Sequence, residues 1–275
     1  MNSQSHRFGP DNSAALVNLG NEPGKVLPPY DLTKDVIVIF SVAHANARLK
    51  EIRSNSIVGF DTEYIQGVVP IPSKLCVVQI TTEDFTYVLD MTAIHGCPIE
   101  LRRILEDSTI IKTNTGISND GKVIWDAFHI NVRNFQELGV MARIVFPISY
   151  RLTSSPLSLR QCVADILHFD MSKDERRTDW ERGLRDDSNG RNVDKIVKYA
   201  ALDSQAAYEI YLLMVNCLAI TEAQRAVHIP VGWYGYDCHE GKTMRFERDI
   251  DEELVEWSVK DCRWFVRGRF SNFWP

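Results

Sequence analysis

Residues 57–64 read IVGFDTEY, with Asp61, Thr62 and Glu63 closing an apolar, partly β-branched run. That composition predicts a buried strand with a polar end. In a strand, side chains at i and i+2 share a face and lie about 6.6 Å apart. Asp61 and Glu63 therefore point one way and Thr62 the other. Two adjacent carboxylates repel unless a cation lies between them. Divalent cations such as Mg²⁺ and Mn²⁺ prefer oxygen ligands. The alternative reading is a solvated pair at a strand end.

Working outward from this strand, residues 35–40 (DVIVIF) read as another strand, followed by Ser41 as the cap of a helix over 42–53. Residues 74–80 and 85–90 read as strands joined by the polar turn 81–84, a hairpin. Residues 109–113 form a further apolar strand, and 120–129 look helical. Ser158-Leu-Arg-Gln161 is a capping-box pattern that starts a helix. Residues 192–218 run without Pro or Gly and predict a long helix. Strands in mixed order followed by helices predict an α/β fold, a mixed central sheet flanked by helices.

The whole chain has 275 residues, 44% hydrophobic and 25% charged, which excludes a disordered or fibrous protein. Its net charge of −6 is not the basic footprint of a protein that binds nucleic acid by charge alone. A local basic stripe or bound metal ions can still meet phosphates. The six cysteines contain no C-x-x-C pair and read as reduced thiols of an intracellular protein, nuclear or cytoplasmic. His228, Cys238, His239 and Cys262 could hold zinc, but their spacing matches no standard finger. No apolar run reaches membrane-spanning length and no secretory signal is expected.

Three regions follow from composition. Residues 1–34 read as an irregular or disordered arm, 35–220 as the main domain and 221–275 as a C-terminal extension. Four of the six tryptophans fall in that extension. It is too aromatic for a solvated linker, so it is expected to pack on the domain or to mediate a homodimer or protein-partner contact.

Two further groups carry chemistry. In the long helix, Tyr199 and Asp203 are four residues apart and share a face, presenting a hydroxyl and a carboxylate to one spot. Between strand and helix, Gly116-Ile-Ser-Asn-Asp120 places a carboxylate at a turn. Gly116, Gly121 and Lys122 also fit the front of a phosphate-binding P-loop. Val123 stands where that motif needs Ser or Thr, and Asp120 would put a negative charge in the cradle.

Together, DTE on a strand, Asp120 on a strand-to-helix turn and Y-x-x-x-D on a later helix resemble the DEDD superfamily of 3′–5′ exonucleases. The tyrosine points to the branch containing ribonuclease D and the Werner-syndrome-type exonuclease domain. The sibling branch has His five residues before the last Asp, and here that position is Lys198. The hairpin CVVQI…YVLD and the stretch Ser172-Lys-Asp-Glu-Arg-Arg-Thr-Asp-Trp180 resemble further family blocks.

The resemblance implies a ribonuclease H-like fold and two divalent cations, Mg²⁺ or Mn²⁺. Asp61 would bridge them, Glu63 and Asp203 would bind the first, and Asp120 would support the second through water. Tyr199 would position the attacking water. The implied reaction is hydrolysis of phosphodiester bonds from the 3′ end of single-stranded RNA or DNA, releasing nucleoside 5′-monophosphates. Lys122, Lys173, Arg176 and Arg177 are candidates for the phosphate track, with Arg182 and Arg185 behind them. The competing expectation is a catalytically silent nucleic-acid-binding or scaffold protein that keeps the fold.

Overall fold

A computed structural model describes residues 26–68, 71–146, 157–171, 178–185 and 192–225, and four short strands between 244 and 270. Six strands build the central sheet: β1 (Asp35–Ile39), β2 (Ile57–Ile65), β3 (Lys74–Thr81), β4 (Phe85–Asp90), β5 (Ile111–Asn114) and β6 (Phe135–Glu137). Their spatial order is β1-β4-β3-β2-β5-β6. The β2-β3-β4 core is antiparallel, while β1 runs parallel to β4, and β5 and β6 run parallel to β2. This is the mixed sheet that the sequence predicts, and it is ribonuclease H-like.

Helices cover both faces: α1 (Val42–Leu49), α2 (Ile99–Glu106), α3 (Ile117–Phe128), α4 (Leu138–Val145), α5 (Leu159–Cys162, continuing as a π turn over Val163–Leu167) and α6 (Val193–Arg225). Every residue of β3 after Lys74 is buried, as a strand covered on both faces requires. On one face, Val58, Phe60 and Ile80 pack with Leu101, Ile104 and Ile124 from α2 and α3. On the other, α6 lays Ala200, Ala201, Ala206 and Ala207 toward the sheet and its neighbours. Small residues let this helix come close. A Cβ on Gly59 would lie 1.9 Å from the Ser204 carbonyl oxygen, so only glycine fits there.

Several boundaries differ from expectation. Helix α1 stops at Leu49, four residues early, with Lys50 as its cap, while Ser41 caps its start by accepting from the His44 N–H at 3.3 Å. Helix α3 starts at Ile117 and not at Asp120, because Gly116 adopts φ 72° and turns the chain into the helix at once. Asp120 therefore lies inside the first turn. Ser158 caps α5 as predicted, accepting from the Gln161 N–H at 3.2 Å. Helix α2, strand β6 and helix α4 were not anticipated.

Residues 26–34 are irregular but held, with Tyr30 buried against α6. Cys76, Cys97, Cys162 and Cys217 are free thiols. Strands β7 (Met244–Glu247), β8 (Leu254–Ser258), β9 (Arg263–Val266) and β10 (Arg269–Phe270) form an antiparallel sheet in the order β10-β9-β8-β7. The expected contact surface of the C-terminal extension, residues 1–25 and the four zinc candidates lie outside the described residues. Among the described residues no helix is long and apolar enough to cross a membrane.

Candidate active site

Strand β2 and helix α6 touch at Gly59 and Ser204, and the polar end of the strand runs on beside the helix. This contact brings together residues more than a hundred positions apart. Asp61, Glu63 and Asp203 each offer a carboxylate oxygen, and the three oxygens lie within 4.8 Å of one another. Asp203 is 5% exposed, and Asp61 and Glu63 are half-buried. Three negative charges at this spacing repel strongly where water is scarce. The donor set, all hard carboxylate oxygens, fits a divalent cation of the Mg²⁺ or Mn²⁺ type.

Tyr199 sits one turn before Asp203 on the same face of α6. Burial, then the charges of Asp203, Glu63 and Asp61 and a hydrogen bond to Asp203, push its phenol above the ordinary tyrosine range. Its ring lies 6.2 Å from that of Trp180, tilted by 36°. Trp180 opens a short 3₁₀ turn that Asp90 anchors, its Oδ2 accepting from the Leu184 N–H at 2.7 Å. Lys198, at the position where the sibling branch carries His, turns away from the acids and pairs with Asp31 at 2.7 Å.

Asp120 is not one of the three clustered acids. It is buried on the Phe60 face of the sheet, where its Oδ1 accepts from the Thr62 hydroxyl at 2.5 Å. Burial, together with the nearby Glu137 carboxylate, raises its carboxyl above the usual range, against the Thr62 bond. Glu137 is raised by burial as well, opposed by N–H donors of Ile117, Gly139 and Gly116. Its Oε2 accepts from the Ile117 N–H at 3.1 Å. A side-chain carboxylate thus fills the N-terminal pocket of α3 that a P-loop would reserve for phosphate, which disposes of the nucleotide-binding reading.

The family model described as 3'-5' exonuclease matches residues 36–219, two thirds of the chain. The chain belongs to the 3′–5′ exonuclease family. With the family goes the reaction class, a metal-dependent 3′–5′ exonuclease. Solved structures share the fold at low identity. The Aedes aegypti Nibbler EXO domain is 19% identical with a TM-score of 0.58, over 70% of this chain and 94% of that one. Escherichia coli RNase D, described as an exoribonuclease involved in structured RNA processing, is 20% identical with a TM-score of 0.54, over 68% of this chain and 46% of that one. Brucella melitensis NrnC with bound Mg²⁺ is 19% identical with a TM-score of 0.52, over 71% and 86%. No curated protein matches the chain.

In this exonuclease domain the phosphate-track candidates are only partly visible. Lys122 is exposed on α3, 4.0 Å from Asp126. Arg182 and Arg185 are exposed beyond Trp180. Lys173, Arg176 and Arg177 lie outside the described residues. Sequence reasoning missed Asn114, at the C-terminal end of β5, whose amide Nδ2 donates to Asp61 Oδ1 at 2.7 Å. Strand β5 runs parallel to β2, and its C-terminal edge lies level with Phe60, one residue before Asp61. Functional groups collect at such edges, and that position was the available signal.

Proposed function

We propose that the domain removes nucleoside 5′-monophosphates from the 3′ end of single-stranded RNA or DNA, using two divalent cations, Mg²⁺ or Mn²⁺. The observation that carries this reading is the convergence of Asp61, Glu63 and Asp203 within 4.8 Å, one helical turn from Tyr199. The cations, when bound, supply charge neutralisation at the scissile phosphate and a reactive water near neutral pH. The three carboxylates would hold them. Tyr199 would orient the attacking water through its hydroxyl and not take the proton, since even an ordinary tyrosine, at about 10, is a poor base near neutral pH. Water adds to phosphorus with loss of a proton to solvent, the P–O3′ bond breaks, and the leaving O3′ takes a proton from solvent. The penultimate nucleotide keeps a 3′-hydroxyl, and the terminal one leaves as a 5′-monophosphate.

Asp120 belongs to this set from beneath. It holds the Thr62 hydroxyl, and Thr62 lies between the two acids on β2, so Asp120 fixes the strand that aims them. Lys122, Arg182 and Arg185, with Lys173, Arg176 and Arg177, supply the cations that hold substrate phosphates. An RNA substrate is supported by the description of RNase D as an exoribonuclease. The test is a 5′-labelled oligonucleotide, RNA or DNA, incubated with Mg²⁺ or Mn²⁺. A ladder of 3′-shortened products that disappears in Asp61→Ala is expected. Absence of a ladder with either metal, with binding retained, would leave the silent scaffold reading in its place.

A further inference from the structure

Asn114 is 2% exposed and stands beside the acidic cluster. Its Nδ2 donates to Asp61 Oδ1 at 2.7 Å. Its own Oδ1 is buried, and among the described residues no donor reaches it. An orphaned buried acceptor costs about 1–3 kcal/mol, so such atoms are normally satisfied by something. The bond to Asp61 also settles which way the amide faces. Turned around, Asn114 would set its carbonyl oxygen against a carboxylate.

We propose that Asn114 is a positioning residue of the cation site, holding Asp61 in its ligating orientation through Nδ2. This rests on the reading of Asp61, Glu63 and Asp203 as the cation site. Asp61 has two oxygens, and an amide on one of them removes a rotation about its terminal bond. A carboxylate oxygen that accepts from an amide keeps further lone pairs with which to ligate a cation. Asn114 adds no charge, so it steadies three crowded carboxylates without competing with the metal as a lysine would. Partners that orient metal ligands in this way are typically worth about 10–100-fold in metal affinity or activity.

The test uses the full chain, with Mn²⁺ titrations read by thermal stabilisation and, separately, by the rate of nucleotide release. Asn114→Leu keeps the volume and removes both polar atoms, and Asn114→Ala serves as the second variant should leucine disturb folding. Either is expected to raise half-saturating Mn²⁺ by roughly 10–100-fold in both readouts, with a smaller change in the rate at saturating metal. Asn114→Asp sets a fourth carboxylate against Asp61. It should lower the melting temperature of the metal-free protein and gain more from Mn²⁺ than the unaltered chain gains, which a packing role alone does not produce. If Asn114→Ala keeps the unaltered half-saturation while Asp61→Asn loses Mn²⁺ stabilisation, the cation site stands and the role of Asn114 is wrong. If Mn²⁺ does not stabilise the unaltered chain, the site reading fails and takes this inference with it.

Discussion

Tyr199 lies within reach of three carboxylates, and each of them makes its ionisation harder. Tyr199→Phe keeps the ring against Trp180 and removes only the hydroxyl. We expect the rate of nucleotide release to fall by roughly 10–100-fold with the shape of the pH profile unchanged between pH 7 and 9, because no phenolate forms in that range. A limb that vanishes in the variant would make Tyr199 the base. The four acids separate in the same way. Asp61→Asn and Asp203→Asn should each cost roughly 10³-fold or more, since each removes a charge that holds the metal. Asp120→Asn should cost roughly tenfold, because an amide can still accept from the Thr62 hydroxyl. Equal losses in single-turnover assays would place Asp120 on the metal and overturn its supporting role. Within each pair, the direction of the acids was legible because strand and helix periods fix it. The face taken by Asp120 was not, since it depends on where α3 begins, and a left-handed Gly116 moved that start by three residues.

Lys112 shows how a single strand residue ties an element to its neighbours. It is fully buried in β5, and its Nζ donates to the carbonyl oxygens of Ile104 at 3.0 Å, Asp107 at 2.8 Å and Ile110 at 2.8 Å. These are the end of α2 and the turn beyond it, where a helix leaves carbonyls without donors. Lys112→Met should destabilise the domain by roughly 2–4 kcal/mol in denaturant, as three buried acceptors lose their donor. Burial lowers this ammonium from 10.5 to about 7, against the pull of Asp107. The unfolded chain therefore holds one more proton than the folded one between pH 7 and 10.5. The Lys112 contribution to stability should rise with pH across that window, by at most about 1.4 kcal/mol per unit, and be flat below it. Denaturant midpoints of the unaltered chain and Lys112→Met should diverge from pH 7 upward, and parallel curves would show that Lys112 does not titrate there. A lysine inside an apolar strand gave no hint of this role in sequence. The long periodic elements did read correctly, whereas β6, three residues long, and the eight-residue α4 are too short for a period to register.

Across the whole molecule, the reading of the fold as a mixed sheet under a long helix came from the order of strands and helices, and the structure bears it out. The expected start of the domain at residue 35 leaves out a segment that the structure ties to it. Pro29 pairs with Asp170, Tyr30 N–H donates to the Asp170 carbonyl at 2.8 Å, and Asp170 N–H returns to Pro28 at 2.8 Å. Tyr30 is 7% exposed, its hydroxyl donates to Glu209 Oε2 at 2.7 Å, and Gln205 Nε2 donates to it at 3.0 Å. The segment thus clasps the end of α5 to α6, the helix that carries Tyr199 and Asp203. Composition could not show this, because the anchor is one aromatic residue among prolines and polar neighbours. A chain beginning at Asp35 loses the burial of Tyr30, worth about 1.5–3 kcal/mol, and takes from the Gln205 amide its bonds to Tyr30, Asp31 and Thr33. At about 2–4 °C per kcal/mol for a domain of this size, its melting temperature should fall by roughly 4–10 °C relative to a chain beginning at Val26. Both should ladder the same oligonucleotide at 25 °C, the shorter chain losing activity first on warming. Equal melting temperatures would mean that α6 is seated by the sheet alone, and that the segment merely rests on it.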